Sequence, residues 1–133
     1  MSQKIYAVLD TNVLVSALRS KDGIPALIYQ MVRAGKVIPC YSDEMIEEYL
    51  GVLYRPRLKL VTHEVDLMIA LQKKLGRRVQ PVKSSISLPD ESDRKFYDTA
   101  KTSDAILVSG NTKHFPSEPF IMTPREFWDE HGV

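Results

Sequence analysis

Cysteine is almost absent from this chain: Cys40 is the only one in 133 residues. One thiol cannot close an internal disulfide or build a cysteine-cluster metal site. Cys40 lies in Val37-Ile38-Pro39-Cys40-Tyr41 and reads as a buried, inert thiol. Long apolar runs are also missing; none approaches the ~20 residues that cross a bilayer, so no membrane partner is expected. Met1-Ser2-Gln3-Lys4 leads straight into a strand, without the apolar core and small-residue cleavage site of a signal peptide. A cytoplasmic protein fits these absences. His63, His114 and His131 show no ligand spacing and read as surface or turn residues. No internal repeat, low-complexity tract or linker interrupts the sequence. Its 44% hydrophobic and 26% charged residues are ordinary for one globular domain spanning 1–133.

The small net charge of +1 conceals a segregation. Eight basic residues fall between Val52 and Lys83, among them Arg55, Arg57, Arg77 and Arg78, and only Glu64 and Asp66 oppose them. The acids cluster instead at Asp43 to Glu48 and at Asp90 to Asp104. A basic middle between acidic clusters fits a polyanion docking near a metal-binding pocket; a solvated helical surface carries the same charges.

Strand-like and helix-like segments alternate. Ile5-Tyr6-Ala7-Val8-Leu9 reads as a buried strand, followed by a helix through Val13-Leu14-Val15-Ser16-Ala17-Leu18. Pro25 to Ala34 reads as a helix, Val37 to Tyr41 as a strand, and Ser42 caps a helix running to about Tyr54. Thr62 is expected to cap the next helix, which Gly76 stops, and Val79 to Val82 is expected as a strand. A helix over about Asp93 to Thr102 and strands at Ala105–Val108 and Phe120–Met122 follow. Thr123-Pro124-Arg125-Glu126 opens a last helix as a capping box, with Phe127 and Trp128 packing it. Repeated β-α units imply a parallel sheet covered on both faces.

Asp10 ends the first strand, and in open α/β sheets ligands bind at the carboxyl edge. It is a candidate metal ligand, and equally a helix N-cap. Glu47 or Glu48, Asp93 and the later Asn111 are the other polar candidates. Three converging carboxylates cannot all ionise cheaply, since one like-charge pair at ~5 Å costs about 3 kcal/mol at an effective dielectric of about 20. Bound Mg²⁺ or Mn²⁺ removes that cost, and such ions prefer oxygen ligands. The chemistry that follows is phosphodiester hydrolysis.

These residues resemble the motifs of PIN-domain ribonucleases, in particular the small prokaryotic branch described as toxins of toxin–antitoxin pairs. Val8-Leu9-Asp10-Thr11-Asn12-Val13 is similar to the first motif. Ser42-Asp43-Glu44-Met45-Ile46-Glu47-Glu48-Tyr49, then Val52-Leu53 and Arg55-Pro56, is similar to the second. Asp93-Arg94-Lys95-Phe96 with Ala100 resembles the third. Asp104 to Asn111, then Lys113-His114-Phe115-Pro116, resembles the fourth. The resemblance implies a three-layer α/β/α fold with a mostly parallel sheet. It implies Mg²⁺ or Mn²⁺ held by Asp10, Glu48 and Asp93, with Asn111 completing a catalytic set that hydrolyses RNA. It selects Glu48 over Glu47, which helical periodicity alone does not. Asn111 stands where much of the family has an aspartate and brings no charge.

Thr11, Asn12 and Ser109 are expected to hold the carboxylates or a water; Thr11 and Asn12 read equally as helix-capping residues. Arg55, Arg57, Arg77 and Arg78 are expected to contact the RNA backbone. Asp90 and Asp98 read as helix-surface or loop charges, and Asp104 as a turn organiser. The resemblance also makes an antitoxin protein and a homodimer the expected partners. A PIN fold that binds RNA or a partner protein without cutting is the alternative that Asn111 keeps open. A haloacid-dehalogenase-like phosphotransferase would need a second Asp where Asn12 stands, and a receiver domain places its acceptor after a later strand.

Overall fold

The computed structural model describes residues 3–132, so Met1 and Ser2, part of the expected leaderless start, lie outside the described residues. Strands β1 (Ile5–Leu9), β2 (Val37–Tyr41), β3 (Arg77–Arg78), β4 (Ile106–Val108) and β5 (Ile121–Met122) form one sheet in the order β3-β2-β1-β4-β5. Every pairing is parallel. Helices α1 (Thr11–Arg19), α2 (Ile24–Arg33), α3 (Asp43–Leu53), α4 (Thr62–Leu75), α5 (Arg94–Ser103) and α6 (Pro124–His131) flank it. The result is the three-layer α/β/α arrangement expected. Ala7, Val8 and Leu9 are all buried, so consecutive residues of β1 meet packed atoms on both sheet faces.

The chain moves outward from β1 to β2 and β3, then crosses back to place β4 on the other side of β1. The strand order therefore reverses between β1 and β4, which opens a crevice beyond their carboxyl ends. Asp10 and the segment Ser109–Asn111 leave the sheet at that crevice. The Asp10 amide donates to Val108 O at 3.0 Å, which locks the two exits together.

Local chemistry explains most element ends. Ser42 Oγ accepts from Met45 N at 3.3 Å and starts α3. The capping box at α6 is complete: Thr123 Oγ1 accepts from Glu126 N at 3.1 Å, and Thr123 N donates to Glu126 Oε1 at 2.9 Å. Gly35 takes a left-handed φ of 78° after α2. Gly76 is needed for close approach: a Cβ there would sit 2.4 Å from Pro39 O and 2.2 Å from Gln72 O. Asp104 ends α5 in the left-handed conformation, in keeping with a turn-organising role.

Two expectations are corrected. Thr62 does not cap α4; Val61 is the N-cap and Thr62 is already in the helix. The third strand is Arg77–Arg78 rather than Val79–Val82. Val79 N still donates to Tyr41 O at 2.7 Å, but Pro81 has no N–H to continue the ladder. Charged residues suit this exposed edge, where they discourage pairing with another chain.

The core joins the centre of the sheet to α3 and α5. Tyr49 is fully buried against Phe96, with ring centroids 6.5 Å apart, and its hydroxyl donates to Leu9 O. That bond fixes α3 against the last residue of β1, one position before Asp10. Phe127 is buried and Trp128 packs on the core, as expected for a terminal helix.

Candidate active site

A cleft of about 390 Å³ opens at the crevice between β1 and β4. Asp10, Glu48, Asp93 and Asn111 all line it. Thr11 and Asn12 are on its wall, and Arg55, Arg57 and His114 also border it.

Asp10 is 7% exposed. One carboxylate oxygen, Oδ1, accepts from Thr11 N at 2.7 Å, so Asp10 does cap α1. The other, Oδ2, accepts from Ser109 Oγ at 2.6 Å and from Asn12 Nδ2 at 3.3 Å. The capping and cleft-lining readings therefore coexist in one side chain. Burial pushes the Asp10 carboxyl up to about 6, with the charges of Asp93 and Glu48 adding to the rise; the bonds from Ser109 and Thr11 oppose it. Ser109 is itself fully buried and accepts from Asn111 N at 3.0 Å. Asn12 Oδ1 accepts from Gly110 N at 3.0 Å, tying the start of α1 to the exit of β4.

Glu48 reaches the cleft, while Glu47 points to solvent. Thr11 Oγ1 donates to Glu48 Oε2. Apolar residue spacing does not choose between the two acids here, because Leu50 is 45% exposed whereas Met45 is fully buried. The buried face of α3 is thus rotated toward Glu48.

Asp93 closes a 3-10 turn, Glu91–Asp93, and its side chain caps nothing. Its Oδ2 is buried without a hydrogen-bond partner. The imidazole of His114 is close by, with Nδ1 3.5 Å away. Burial raises the Asp93 carboxyl above its usual range, and the charges of Asp90 and Glu48 push the same way; His114 and Lys95 counteract them. Asp90 also borders the cleft, but Ser92 satisfies it through N at 2.9 Å and Oγ at 2.8 Å.

Two residues at the site carried no clear signal in the sequence. Lys95 Nζ lies 2.9 Å from Glu48 Oε1 and also donates to Ser92 O. A lysine two residues after Asp93 inside an acidic stretch was the available hint. His114, read as a surface or turn residue, borders the cleft from a 3-10 turn, Thr112–His114. Asp98, read as a surface charge, is 4% exposed. It accepts from Ser84 N at 3.3 Å and Ser84 Oγ at 2.5 Å, so it anchors the loop that precedes the site.

The basic residues divide. Arg55 and Arg57 border the cleft; Arg77 and Arg78 do not. Arg77 stacks 5.3 Å over the Tyr6 ring, and Arg78 makes a bidentate pair with Asp43 at 3.0 and 2.7 Å on the far sheet edge.

Residues 6–113 match the PIN domain family, and that match spans most of the chain. The chain belongs to the PIN domain family. An uncharacterised protein of the archaeon Methanocaldococcus jannaschii is 30% identical over 111 residues, which cover 81% of this chain and 72% of that protein. PIN domains are in general nucleases, so hydrolysis of nucleic-acid phosphodiesters is the functional class at a coarse level. Among the described residues, no helix is long and apolar enough to cross a membrane.

The donor set of this PIN domain fits a hard divalent cation. It consists of carboxylate, amide and hydroxyl oxygens, and the orphaned Asp93 Oδ2 is a buried acceptor with nothing to accept from. The coordination is not preformed: among the described residues, no three His, Cys, Asp or Glu side chains gather closely enough to hold an ion together. Thr11, Ser109 and Lys95 hold the carboxylates in the arrangement described.

Proposed function

We propose that this PIN domain is a metal-dependent endoribonuclease that hydrolyses RNA phosphodiester bonds. The carrying observation is that Asp10, Glu48, Asp93 and Asn111 line one cleft at the reversal of strand order. Asp10, Glu48 and Asp93 would hold Mg²⁺ or Mn²⁺, with the neutral Asn111 assisting. When bound, that cation supplies an activated water and stabilises charge on the phosphate.

The protein's own groups orient the rest. Thr11 and Ser109 fix the directions of Glu48 and Asp10 by donating to them. Asn12 keeps the two strand exits in register through Gly110 N. Arg55 and Arg57 offer charge to the RNA backbone, which gives affinity without sequence choice. We further propose a cytoplasmic toxin of a toxin–antitoxin pair as the biological setting, with an antitoxin protein and a second copy of the chain as partners.

The test is cleavage of a single-stranded RNA by purified protein with Mg²⁺ or Mn²⁺, repeated with chelator and with Asp10→Asn. Cleavage that persists in Asp10→Asn, or in chelator, refutes the proposal. The second reading, a PIN fold that binds RNA or a partner without cutting, draws on Lys95 already pairing Glu48 and on the uncharged Asn111. It predicts RNA retention with no cleavage at any metal concentration.

A further inference from the structure

Of the three histidines, only His114 borders the carboxylate cleft. Its turn is fixed from the backbone, with His114 N donating to Asn111 O at 3.0 Å and Phe115 N donating to Thr112 O at 3.1 Å. The ring is therefore carried at a set distance from the end of β4. Its Nδ1 stands 3.5 Å from Asp93 Oδ2, beyond the usual hydrogen-bond length, and that oxygen has no hydrogen-bond partner. The same ring is 52% exposed, so it can turn without disturbing the core.

Two atoms that each bond an octahedral ion at about 2.1 Å lie about 3 Å apart. The observed 3.5 Å separation needs a closure of only about half an ångström to match that spacing. We infer that His114 supplies an imidazole nitrogen to the divalent cation, sharing it with Asp93, so that the site is a mixed oxygen–nitrogen one. This deepens the nuclease proposal and rests on it for the presence of a cation.

The consequence is metal selectivity. Mg²⁺ sheds water reluctantly and favours oxygen in near-ideal octahedral geometry. Imidazole suits first-row transition ions better. His114 thus tilts this site toward Mn²⁺ and away from Mg²⁺. It also provides a donor beside Asn111, whose amide contributes no charge.

The experiment loads the full chain with Mn²⁺ and records pulsed electron paramagnetic resonance, with titration calorimetry for Mn²⁺ and Mg²⁺. The expected wild-type spectrum shows a directly coordinated imidazole nitrogen, and histidine carrying the other nitrogen isotope shifts that coupling without any mutation. His114→Gln should abolish the coupling and weaken Mn²⁺ by at least about tenfold, an ordinary loss for removing a partner of a metal site. Mg²⁺ affinity should change far less, while His63→Gln should change neither. Bound Mn²⁺ with no nitrogen coupling, or equal weakening of both ions, overturns the assignment of His114 and leaves the nuclease reading standing. Failure of the wild type to bind Mn²⁺ at all overturns both.

Discussion

Asp93 and Asp98 stand five positions apart, at the start and in the middle of α5, and both are largely buried, yet they are provisioned in opposite ways. Asp98 accepts from the amide and the hydroxyl of Ser84 and holds a loop in place. Arg94 reinforces that loop by donating to Ser84 O at 2.9 Å and to Ile86 O at 2.5 Å. Asp93 has one buried oxygen with no donor at all, and faces Asp90 and Glu48 as like charges. A buried carboxylate that is fully hydrogen-bonded is part of the architecture. A buried carboxylate left short of donors, in a cleft shared with other acids, is a place for a cation.

Exchanging each acid for its amide breaks the comparison most sharply. Asp93→Asn should lower RNA cleavage by about a hundredfold or more, the rate equivalent of losing roughly 3 kcal/mol of charge stabilisation. In chelator the same variant should melt no lower than wild type, because it removes a buried charge that lacked partners. Asp98→Asn should do the reverse. It should lose about 1.5–3 kcal/mol of stability, the range for hydrogen bonds to a charged group, while folded protein cleaves at a rate near wild type. Denaturant melts and single-turnover cleavage of both variants check this. An Asp98→Asn enzyme that is stable but inactive would place Asp98 in the chemistry.

Lys95 tests how far the shortage of donors at the site is already relieved. It is the cation that Glu48 has in this structure. Lys95→Gln keeps a long polar side chain but removes the charge, so divalent ions should bind more tightly and apo stability should fall by about 1 kcal/mol. Titration calorimetry with Mn²⁺ and melting in chelator separate the two effects. Weaker metal binding in Lys95→Gln would mean that the ammonium orients Glu48 for the ion rather than competing with it.

The sequence made the sheet legible because β1 and β4 are short apolar runs that stop at polar residues, and such runs announce buried parallel strands. It also located Asp10, Asp93 and Asn111, because strand exits and helix starts are written in local residue order. What it hid depends on contacts between distant segments. Periodicity alone could not separate Glu48 from Glu47, because the burial of Met45 and the exposure of Leu50 set the rotation of α3. The pairing of Lys95 with Glu48 spans the fold, as does that of Asp98 with its loop. The two-residue β3 was missed because arginines at an exposed edge carry no strand pattern, while the more apolar Val79–Val82 did. His114 is the exposed turn residue expected, but residue order along the chain says nothing about that turn bringing its ring to Asp93.

The smallest expected effect separates the two arginine pairs, which composition alone treats as one basic patch. Arg55 and Arg57 border the cleft, whereas Arg78 is already matched to Asp43 and Arg77 lies over Tyr6. Each arginine that neutralises an RNA phosphate releases counterions, and for single strands its loss reduces the slope of log affinity against log salt by about 0.7. Binding should be measured with cleavage suppressed, in chelator, so that the slope reports contacts alone. Arg57→Ala should then show a shallower slope by about that amount, with weaker affinity for every RNA sequence tried. Arg78→Ala should leave the slope unchanged, since its charge has a carboxylate partner on the opposite edge of the sheet. If Arg78→Ala flattens the slope as much as Arg57→Ala does, the RNA path extends beyond the cleft to β3, and the exposed edge there is part of the binding surface.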